Sequence, residues 1–246
     1  MKRLRQTRST CMYAVKGIPG KEGKMLREVS MEEISDGRLY GPNDLVKADC
    51  HDCEGCFDCC SGMGESILLD PLDVWRLSEF MQMGFEQMLG KYLELHVVDG
   101  VILPNLKMEE GRDCCAFLNA QGRCSVHSHR PGLCRLFPLG RYYEGDSFRY
   151  FLQTRECRKD NRSKIKVKKW IDTPDQKRYD GFILDWHHLV RRLQEKLSEA
   201  YDMEAARKYN LYLLETFYFQ GWPKEEDFYE VFEKRRRKAV GALFGE

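Results

Sequence analysis

Residues 50–60 read Cys50-His51-Asp52-Cys53-Glu54-Gly55-Cys56-Phe57-Asp58-Cys59-Cys60. Four cysteines recur at every third residue in this run, and a fifth follows the last of them directly. Two residues between cysteines allow one tight turn to bring both sulfurs to the same metal centre, in zinc sites and in iron–sulfur clusters alike. The run therefore predicts a metal site, but its spacing does not choose the metal.

Two details of the run bear on how many metal centres it serves. Cys50, Cys53, Cys56 and Cys60 match the C-x2-C-x2-C-x3-C spacing of bacterial ferredoxins, with Ser61 in place of the usual proline. Neighbouring side chains diverge in an extended or helical backbone, so Cys59 and Cys60 are not expected to bind one atom easily. They predict two centres, or a cluster with several metal atoms.

Composition decides between bound metal and disulfide bonds. The chain has 246 residues and 11 cysteines, which is an odd number. It shows no export signal, and its length allows a hydrophobic core without cross-links, so reduced thiolates are favoured over a disulfide framework. With 40 Lys and Arg against 39 Asp and Glu, and no long apolar stretch, nucleic acid and membranes are not expected as partners. We expect a soluble, cytoplasmic protein whose partners are metal and a protein substrate or binding partner.

The pattern along the chain favours the α+β class with three parts. Residues 1–46 are polar and glycine-rich and predict an arm, residues 47–169 a cysteine-cluster metal-binding domain, and residues 170–246 a helical C-terminal extension packed on that domain. The domain is expected to be a small core of short antiparallel hairpins and two helices.

Local signals predict individual elements. Asp70-Pro71 is typical of a helix start, and a second helix is expected over residues 85–95. Turn residues at Asp99-Gly100, Gln121-Gly122 and residues 144–146 predict hairpins. In the C-terminal part, Thr173 to Gln176 resembles a capping box, and three apolar stripes predict helices. The basic run at residues 234–238 is expected to end a solvated helix, where cations favour the helix dipole.

More thiols follow the first run, and each lies at or near a predicted turn. These are Cys115, Cys124, Cys134 and Cys157. A thiolate cluster carries net negative charge, which neighbouring arginines can offset, and their alternative role is surface solubility. The arginines beside the downstream cysteines are Arg112, Arg123, Arg135 and Arg158.

Several motifs in order resemble the YkgJ-type cysteine-cluster family, whose domain is described as zinc- or iron-chelating. They are C-x2-C-x2-CC at residues 53–60, DVWRL at 73–77, C-x-FL at 115–118, C-x2-H at 124–127, RP-x2-CR-x-FP at 130–138, and Cys157. The resemblance implies eight metal ligands: Cys53, Cys56, Cys59, Cys60, Cys115, Cys124, Cys134 and Cys157. Eight thiols suffice for two four-ligand sites. Cys11, Cys50 and Cys114 lie outside the pattern, and Cys50 and His127 are candidates for extra ligands.

Three functions compete. The first is a metal-binding or electron-transfer module, with an iron–sulfur cluster favoured over zinc. The second follows from relatives described as flagellin lysine N-methylases and implies a cluster-dependent methyl transfer from S-adenosylmethionine to lysine. No glycine-rich G-x-G turn after a strand is visible for such a cofactor, so catalytic and cofactor-binding residues stay unnamed. The third is a structural zinc domain that binds a partner.

Overall fold

Helices and short hairpins alternate through the first part of the chain, and helices make up the rest. The structure is a computed structural model and describes residues 31–50, 56–154, 156–157, 159, 161–199 and 202–246. The α-helices are α1 (Met31–Ile34), α2 (Pro71–Met81), α3 (Phe85–Met88), α4 (Gly132–Leu136), α5 (Val167–Ile171), α6 (Gln176–Glu199), α7 (Met203–Leu214) and α8 (Phe228–Phe244). The strands are β1 (Leu45–Asp49), β2 (Leu93–Val98), β3 (Val101–Leu106), β4 (Met108–Glu109), β5 (Cys114–Cys115), β6 (Leu139–Glu144), β7 (Ser147–Leu152) and β8 (Ser163–Lys166). The predicted α+β class is confirmed.

Helix α2 starts where the Asp70-Pro71 pair predicts. The Asp70 side chain accepts a hydrogen bond from the Asp73 amide, and the Asp73 side chain accepts one from the Asp70 amide. This reciprocal capping box satisfies two amides that have no partner inside the helix. Val74 and Leu77 on the apolar face are buried. The cap therefore fixes two carboxylates at one helix end, which matters for a pocket described below.

The expected helix over residues 85–95 is only partly present. Helix α3 ends at Met88, and Leu93–Val98 is instead strand β2, paired antiparallel with β3. Gly90 takes a left-handed φ of 76°, which breaks the helix. Asp99 and Gly100 also have positive φ, as a two-residue hairpin turn of type I′ requires. The hairpin at Asp99-Gly100 is confirmed, and pairing with β3 overrides the helical pattern of residues 89–95.

The other two predicted hairpins differ in extent. Strands β6 and β7 pair in register over six residues each and are joined by Gly145-Asp146, as expected. At Gln121-Gly122 the ladder shrinks to one bridge between Leu118 and Cys124. Strands β4 and β5 form a further two-residue ladder. Short ladders of this kind hold the cysteines on turns rather than within long strands.

The two ends of the cysteine-rich region meet in one sheet. Strand β1 pairs antiparallel with β8, so Asp49 lies opposite Ser163. The Ser163 hydroxyl also donates to the Asp49 carboxylate over 2.8 Å. Before β1, Tyr40 bridges to Tyr150 of β7, and Ser35 bridges to Gln153, which follows β7 directly. The described part of the predicted arm, residues 31–46, therefore lies against the second hairpin, and residues 1–30 with Cys11 are outside the described residues.

The C-terminal helices share a core with the cysteine-rich region. One apolar cluster joins residues of α2 and β3 to residues of α6, α7 and α8. Asn210 accepts from the Ile102 amide and donates to the Gly100 carbonyl, which fastens α7 to the β2–β3 hairpin. Helix α6 begins after Asp175, whose side chain accepts from the Arg178 amide, so the cap is Asp175 rather than Thr173.

The sequence predicts that the basic run at residues 234–238 ends a solvated helix, and this prediction is wrong. Helix α8 continues to Phe244, and Arg235 is 8% exposed. The Arg235 guanidinium donates to the carbonyls of Thr216, Gln220 and Gly221. It thereby satisfies carbonyls at a π-helical turn, Glu215–Phe219, that follows α7. Tertiary contacts that the sequence pattern does not show decide the burial of this arginine.

No helix within the described residues is long and apolar enough to cross a membrane.

Candidate metal centre

Six cysteines from separate elements line one pocket, which we call the thiol pocket. They are Cys56, Cys59, Cys60, Cys115, Cys124 and Cys134. Cys59 and Cys60 lie on a 3₁₀ turn, Cys115 on β5, Cys124 after the Asn119 turn and Cys134 on α4. All nine described cysteines are free thiols. The structure thus brings together residues up to 78 positions apart in the chain, from Cys56 to Cys134.

The 3₁₀ turn makes Cys59 and Cys60 close neighbours. The Cys60 amide donates to the Phe57 carbonyl over 2.8 Å, which tightens the turn. The two Sγ atoms lie 3.9 Å apart, and both thiols line the thiol pocket. A tetrahedral zinc site with Zn–S bonds of about 2.3 Å separates its sulfurs by about 3.8 Å. The expected divergence of these adjacent side chains is therefore not observed in this turn, and the separation of their sulfurs allows both to bind one metal atom.

Asn119 shapes the turn that presents Cys124. Its side-chain oxygen accepts from the Gln121 and Arg123 amides, and its backbone amide donates to the Arg123 carbonyl. Gly122 has a φ of 71°, a backbone conformation that residues with a Cβ atom adopt rarely. The predicted Gln121-Gly122 turn thus directs Cys124 toward the pocket even though no full hairpin forms.

Five of the six pocket thiols form an electrostatic group, the five-thiol group: Cys59, Cys60, Cys115, Cys124 and Cys134. The pKa of the Cys115 thiol is raised to about 11, chiefly by burial and to a smaller extent by the nearby sulfurs of Cys124, Cys59 and Cys114. The pKa of Cys134 is raised well above its usual range by burial first and by Cys59, Cys115 and Cys124 next. Crowded thiols that resist ionisation beside one another fit a bound cation, which removes that mutual penalty.

Three further cysteines form the second thiol group: Cys50, Cys56 and Cys157. Burial raises the pKa of Cys157, and the Cys50 sulfur adds to it. Cys157 in turn contributes to the raised pKa of Cys56, after burial and Asp58. Cys50 thus lies near Cys157, a thiol that the family resemblance selects, although the resemblance omits Cys50 itself. Cys53, the remaining predicted ligand, lies outside the described residues.

Two arginines line the thiol pocket, and sequence reasoning singled out only one of them. The pKa of Cys59 is raised chiefly by its hydrogen bond with Cys60 and by burial, and that of Cys124 chiefly by burial. Arg130 opposes the rise at both thiols, and Arg123 opposes it at Cys124. No described residue accepts a hydrogen bond from the buried Arg130 Nε atom. Positive charge at the pocket wall offsets thiolate charge. The signal for Arg130 was its place at the head of the Arg130-Pro131 motif.

The other arginines beside the cysteines have different roles. Arg112 is exposed and pairs with Glu109 over 2.9 Å on the surface. Arg135 is 9% exposed and donates to the carbonyls of Arg130, Asp172 and Ser128. Arg135 therefore fixes backbone around α4 rather than facing sulfur. Arg158 lies outside the described residues.

His127 lines the thiol pocket, but its Nε2 atom is engaged. The Arg130 Nη1 atom lies 2.9 Å from it, and a guanidinium can only donate, so Nε2 accepts. In a neutral imidazole the proton then sits on Nδ1, which leaves no lone pair there for a metal. In this geometry His127 orients Arg130 instead of serving as a ligand.

Cys114 is buried but lies outside the thiol pocket. It is 5% exposed and lies opposite Glu109 in the β4–β5 ladder.

Within the described ranges, no three or more Cys, His, Asp or Glu side chains form a group that could hold a metal ion as placed. The thiols share a pocket without a preformed coordination sphere, so metal binding requires their side chains to reorient.

The cysteine-rich region of the chain matches a family model. The CxxCxxCC model, described as a "putative zinc- or iron-chelating domain", matches residues 52–168. This range contains every cysteine of the five-thiol group, together with Cys56 and Cys157. No solved structure matches the chain.

Proposed function

Because residues 52–168 of this chain belong to the CxxCxxCC family, we propose that the five-thiol group binds an iron–sulfur cluster. The protein then acts as a metal-binding or electron-transfer module. The observation that carries this proposal is the convergence of Cys59, Cys60, Cys115, Cys124 and Cys134 on one pocket. Thiolates are the ligands that iron–sulfur clusters use.

The number of thiols fits a cluster and a single zinc ion equally. Structural zinc takes four ligands in a tetrahedron. Cys59 and Cys60 are close enough to share one zinc, and two of the other three thiols would complete it, with one thiol left over. An iron–sulfur cluster is also held by four cysteines and would likewise leave one thiol over. The walls favour an anionic centre, because Arg123 and Arg130 both line the pocket.

The second thiol group supports a second centre. Cys157 interacts electrostatically with both Cys50 and Cys56. With one further thiol these three would supply the four that a tetrahedral site needs. We assign Cys56 and Cys157 to this centre as ligands, with Cys50 as an extra one, and Cys53 stays a predicted ligand without an assigned centre.

Two other functions remain as alternatives to electron transfer. A structural zinc domain would use the same thiols to hold the fold for a partner. A lysine N-methyltransferase of the flagellin-methylase type would need sites for S-adenosylmethionine and for a lysine side chain in addition to the cluster. Metal content separates the first alternative from the proposal, and a methyl-transfer assay on flagellin separates the second.

The deciding experiment is metal and sulfide analysis of the full chain purified without oxygen. We expect iron and acid-labile sulfide, broad visible absorbance, and an electron paramagnetic resonance signal after reduction. Stoichiometric zinc in a colourless protein would overturn the cluster, and a metal-free protein would overturn metal binding altogether.

A matched pair of variants tests where the metal binds. Cys134→Ser removes a partly buried member of the five-thiol group, whereas Cys114→Ser changes a buried thiol outside the thiol pocket. We expect Cys134→Ser to lose at least half of the metal and Cys114→Ser to keep it. Equal loss from both would refute the assignment of the five-thiol group.

A further inference from the structure

A second pocket, which we call the polar pocket, lies next to the thiol pocket and contains no cysteine. Its volume, counted out to its open mouth and including open solvent, is about 450 Å³. Leu133 lines the polar pocket and Cys134, the next residue, lines the thiol pocket. Helix α4 therefore separates the two. Helix α6 of the C-terminal part supplies the opposite wall through Ile183, Trp186 and His187.

One wall of the polar pocket is acidic. Asp73 Oδ1 accepts from the Gly132 amide over 2.7 Å, and Asp73 Oδ2 accepts from the Asp70 amide. Asp70 Oδ1 accepts from the Asp73 amide over 2.8 Å. No described residue donates to the second oxygen of Asp70, Oδ2. This leaves one carboxylate oxygen of the capping box available to a ligand.

The polar pocket is also lined by Arg141 and His187, each with a nitrogen atom that has no partner among the described residues. Arg141 is 9% exposed, and its Nη2 atom donates to the Tyr179 hydroxyl over 2.9 Å. Among the described residues nothing accepts from Arg141 Nε or bonds to His187 Nδ1, although both atoms are buried. His187 is 4% exposed, and its ring stacks on Tyr143 with centroids 3.7 Å apart. These atoms cannot rotate away to bulk water.

The unpartnered atoms have opposite character and do not pair with each other. No ion pair joins Asp70 to Arg141 within the part of the chain that the structure describes, although Arg141 lowers the pKa of Asp70 against the larger effect of burial. Leaving a buried donor or acceptor without a partner costs about 1–3 kcal/mol. Such atoms are uncommon in native proteins and call for an explanation. A ligand with a cationic and an anionic end would satisfy both sides at once.

We propose that the polar pocket binds a small zwitterion of the α-amino acid class, with its ammonium group at Asp70 and its carboxylate at Arg141. The rest of the lining is apolar and aromatic, with Leu68, Leu103, Ile183 and Trp186 among its members. A ligand side chain of similar character buries against these residues. The pocket therefore selects amino acids with apolar side chains, such as leucine, methionine or phenylalanine.

Calorimetric titration of the wild-type full chain tests this proposal without any variant. The probes are L-leucine, L-methionine and L-phenylalanine, with 4-methylpentanoate and 3-methylbutylamine as leucine analogues that lack the ammonium or the carboxylate. We expect at least one amino acid to bind and both analogues to bind at least tenfold more weakly than leucine if leucine binds. No binding of the three amino acids at millimolar concentration, or equal binding of the analogues, overturns the proposal. Water alone then fills the polar pocket.

A matched pair of cap variants places the ligand. Asp70→Asn keeps a side-chain oxygen for the Asp73 amide, since asparagine caps helices as well as aspartate does, but removes the negative charge. Asp202→Asn makes the same change at the cap of α7, where Asp202 accepts from two amides away from the polar pocket. We expect Asp70→Asn to weaken amino-acid binding at least tenfold and Asp202→Asn to leave it unchanged. An unchanged affinity in Asp70→Asn refutes the placement. Neither result depends on which metal the thiols hold.

Discussion

The Sγ atoms of Cys59 and Cys60 lie 3.9 Å apart, because a 3₁₀ turn folds these consecutive residues toward one pocket. This distance allows both thiols to bind one metal centre. They also expose a general weakness of arguments from adjacency, since a tight turn can reverse the divergence that regular backbone imposes on neighbouring side chains.

Serine substitutions at this pair should therefore act alike. We expect Cys59→Ser and Cys60→Ser to lower metal content by the same fraction, because each removes a thiol from one shared centre. Metal and sulfide per chain measure the effect, with Cys114→Ser as the control. Clearly different fractions in the two variants would show that the adjacent thiols serve separate centres.

Cys157→Ser should affect a different part of the metal. Cys157 interacts with Cys56 and Cys50 rather than with the five-thiol group. We expect a partial loss of metal, with the spectroscopic signal of the five-thiol centre retained. Complete loss of metal from Cys157→Ser would mean that all eight thiols act as one unit.

Arg130→Gln should weaken metal retention. Arg130 lines the thiol pocket, and its positive charge opposes the rise in the pKa values of Cys59 and Cys124 that their contacts and burial cause. Groups that support metal ligands typically change metal affinity by roughly 10- to 100-fold when replaced. Competition with a chelator measures this affinity, and Arg112→Gln, the same change in a surface ion pair, is the control. Similar affinities for both variants would remove Arg130 from the metal centre.

Two glycine-to-alanine substitutions should have opposite effects on stability. A Cβ atom at Gly132 would lie 2.5 Å from the Tyr179 hydroxyl and 3.6 Å from Asp73 Oδ1. Overpacking of this kind costs about 1–3 kcal/mol. Gly181 lies within α6 and has nothing within 4 Å of such an atom, so alanine there should stabilise by about 0.5–1 kcal/mol. Urea unfolding of both variants measures the two changes, and a stabilised Gly132→Ala would contradict the packing described here.

Asp70→Asn should stabilise the protein at neutral pH. Burial and then the Asp73 carboxyl raise the pKa of Asp70 in the folded protein well above its usual value. The native state consequently binds this proton more tightly than the unfolded chain does, so ionised Asp70 destabilises the fold above the raised pKa. Asparagine keeps the cap and removes this penalty. The advantage over wild type should be present at pH 7 and shrink as the pH falls toward the unfolded value of about 3.9. An advantage that is constant across this pH range would show that ionisation is not its cause.

Local signals predicted those features of the fold that neighbouring residues determine. Asp70-Pro71 marks the start of α2, and Asp99-Gly100 marks a hairpin, because backbone conformation and capping at these sites depend on a few adjacent residues. Residues 89–95 were misassigned because strand β2 exists through pairing with β3, a contact that lies outside any local window. The burial of Arg235 was missed for the same reason, since the partners of its guanidinium are carbonyls 14 to 19 positions away.

The site divides in a similar way. Cysteine spacing and the family resemblance selected the thiols, of which all but Cys53 lie in described residues. Their division into two groups follows from where turns and short ladders place them, and spacing alone does not contain that information. The polar pocket was not predicted at all. Its groups, Asp70, Arg141 and His187, are more than a hundred positions apart at the extremes and acquire a joint chemistry only when α6 packs against α2 and β6.

The pairing of β1 with β8 has a consequence for how metal and fold depend on each other. It brings Cys50, at the end of β1, into the neighbourhood of Cys157, which precedes β8. A metal bound by the second thiol group would therefore cross-link two points about a hundred residues apart in the chain. Closing a loop of this length restricts the unfolded ensemble strongly, as long-range disulfides do, by about 4–5 kcal/mol in the chain-entropy model. A metal in the second thiol group would thus hold the two ends of the domain together, and its removal would let the domain open first where these ends meet.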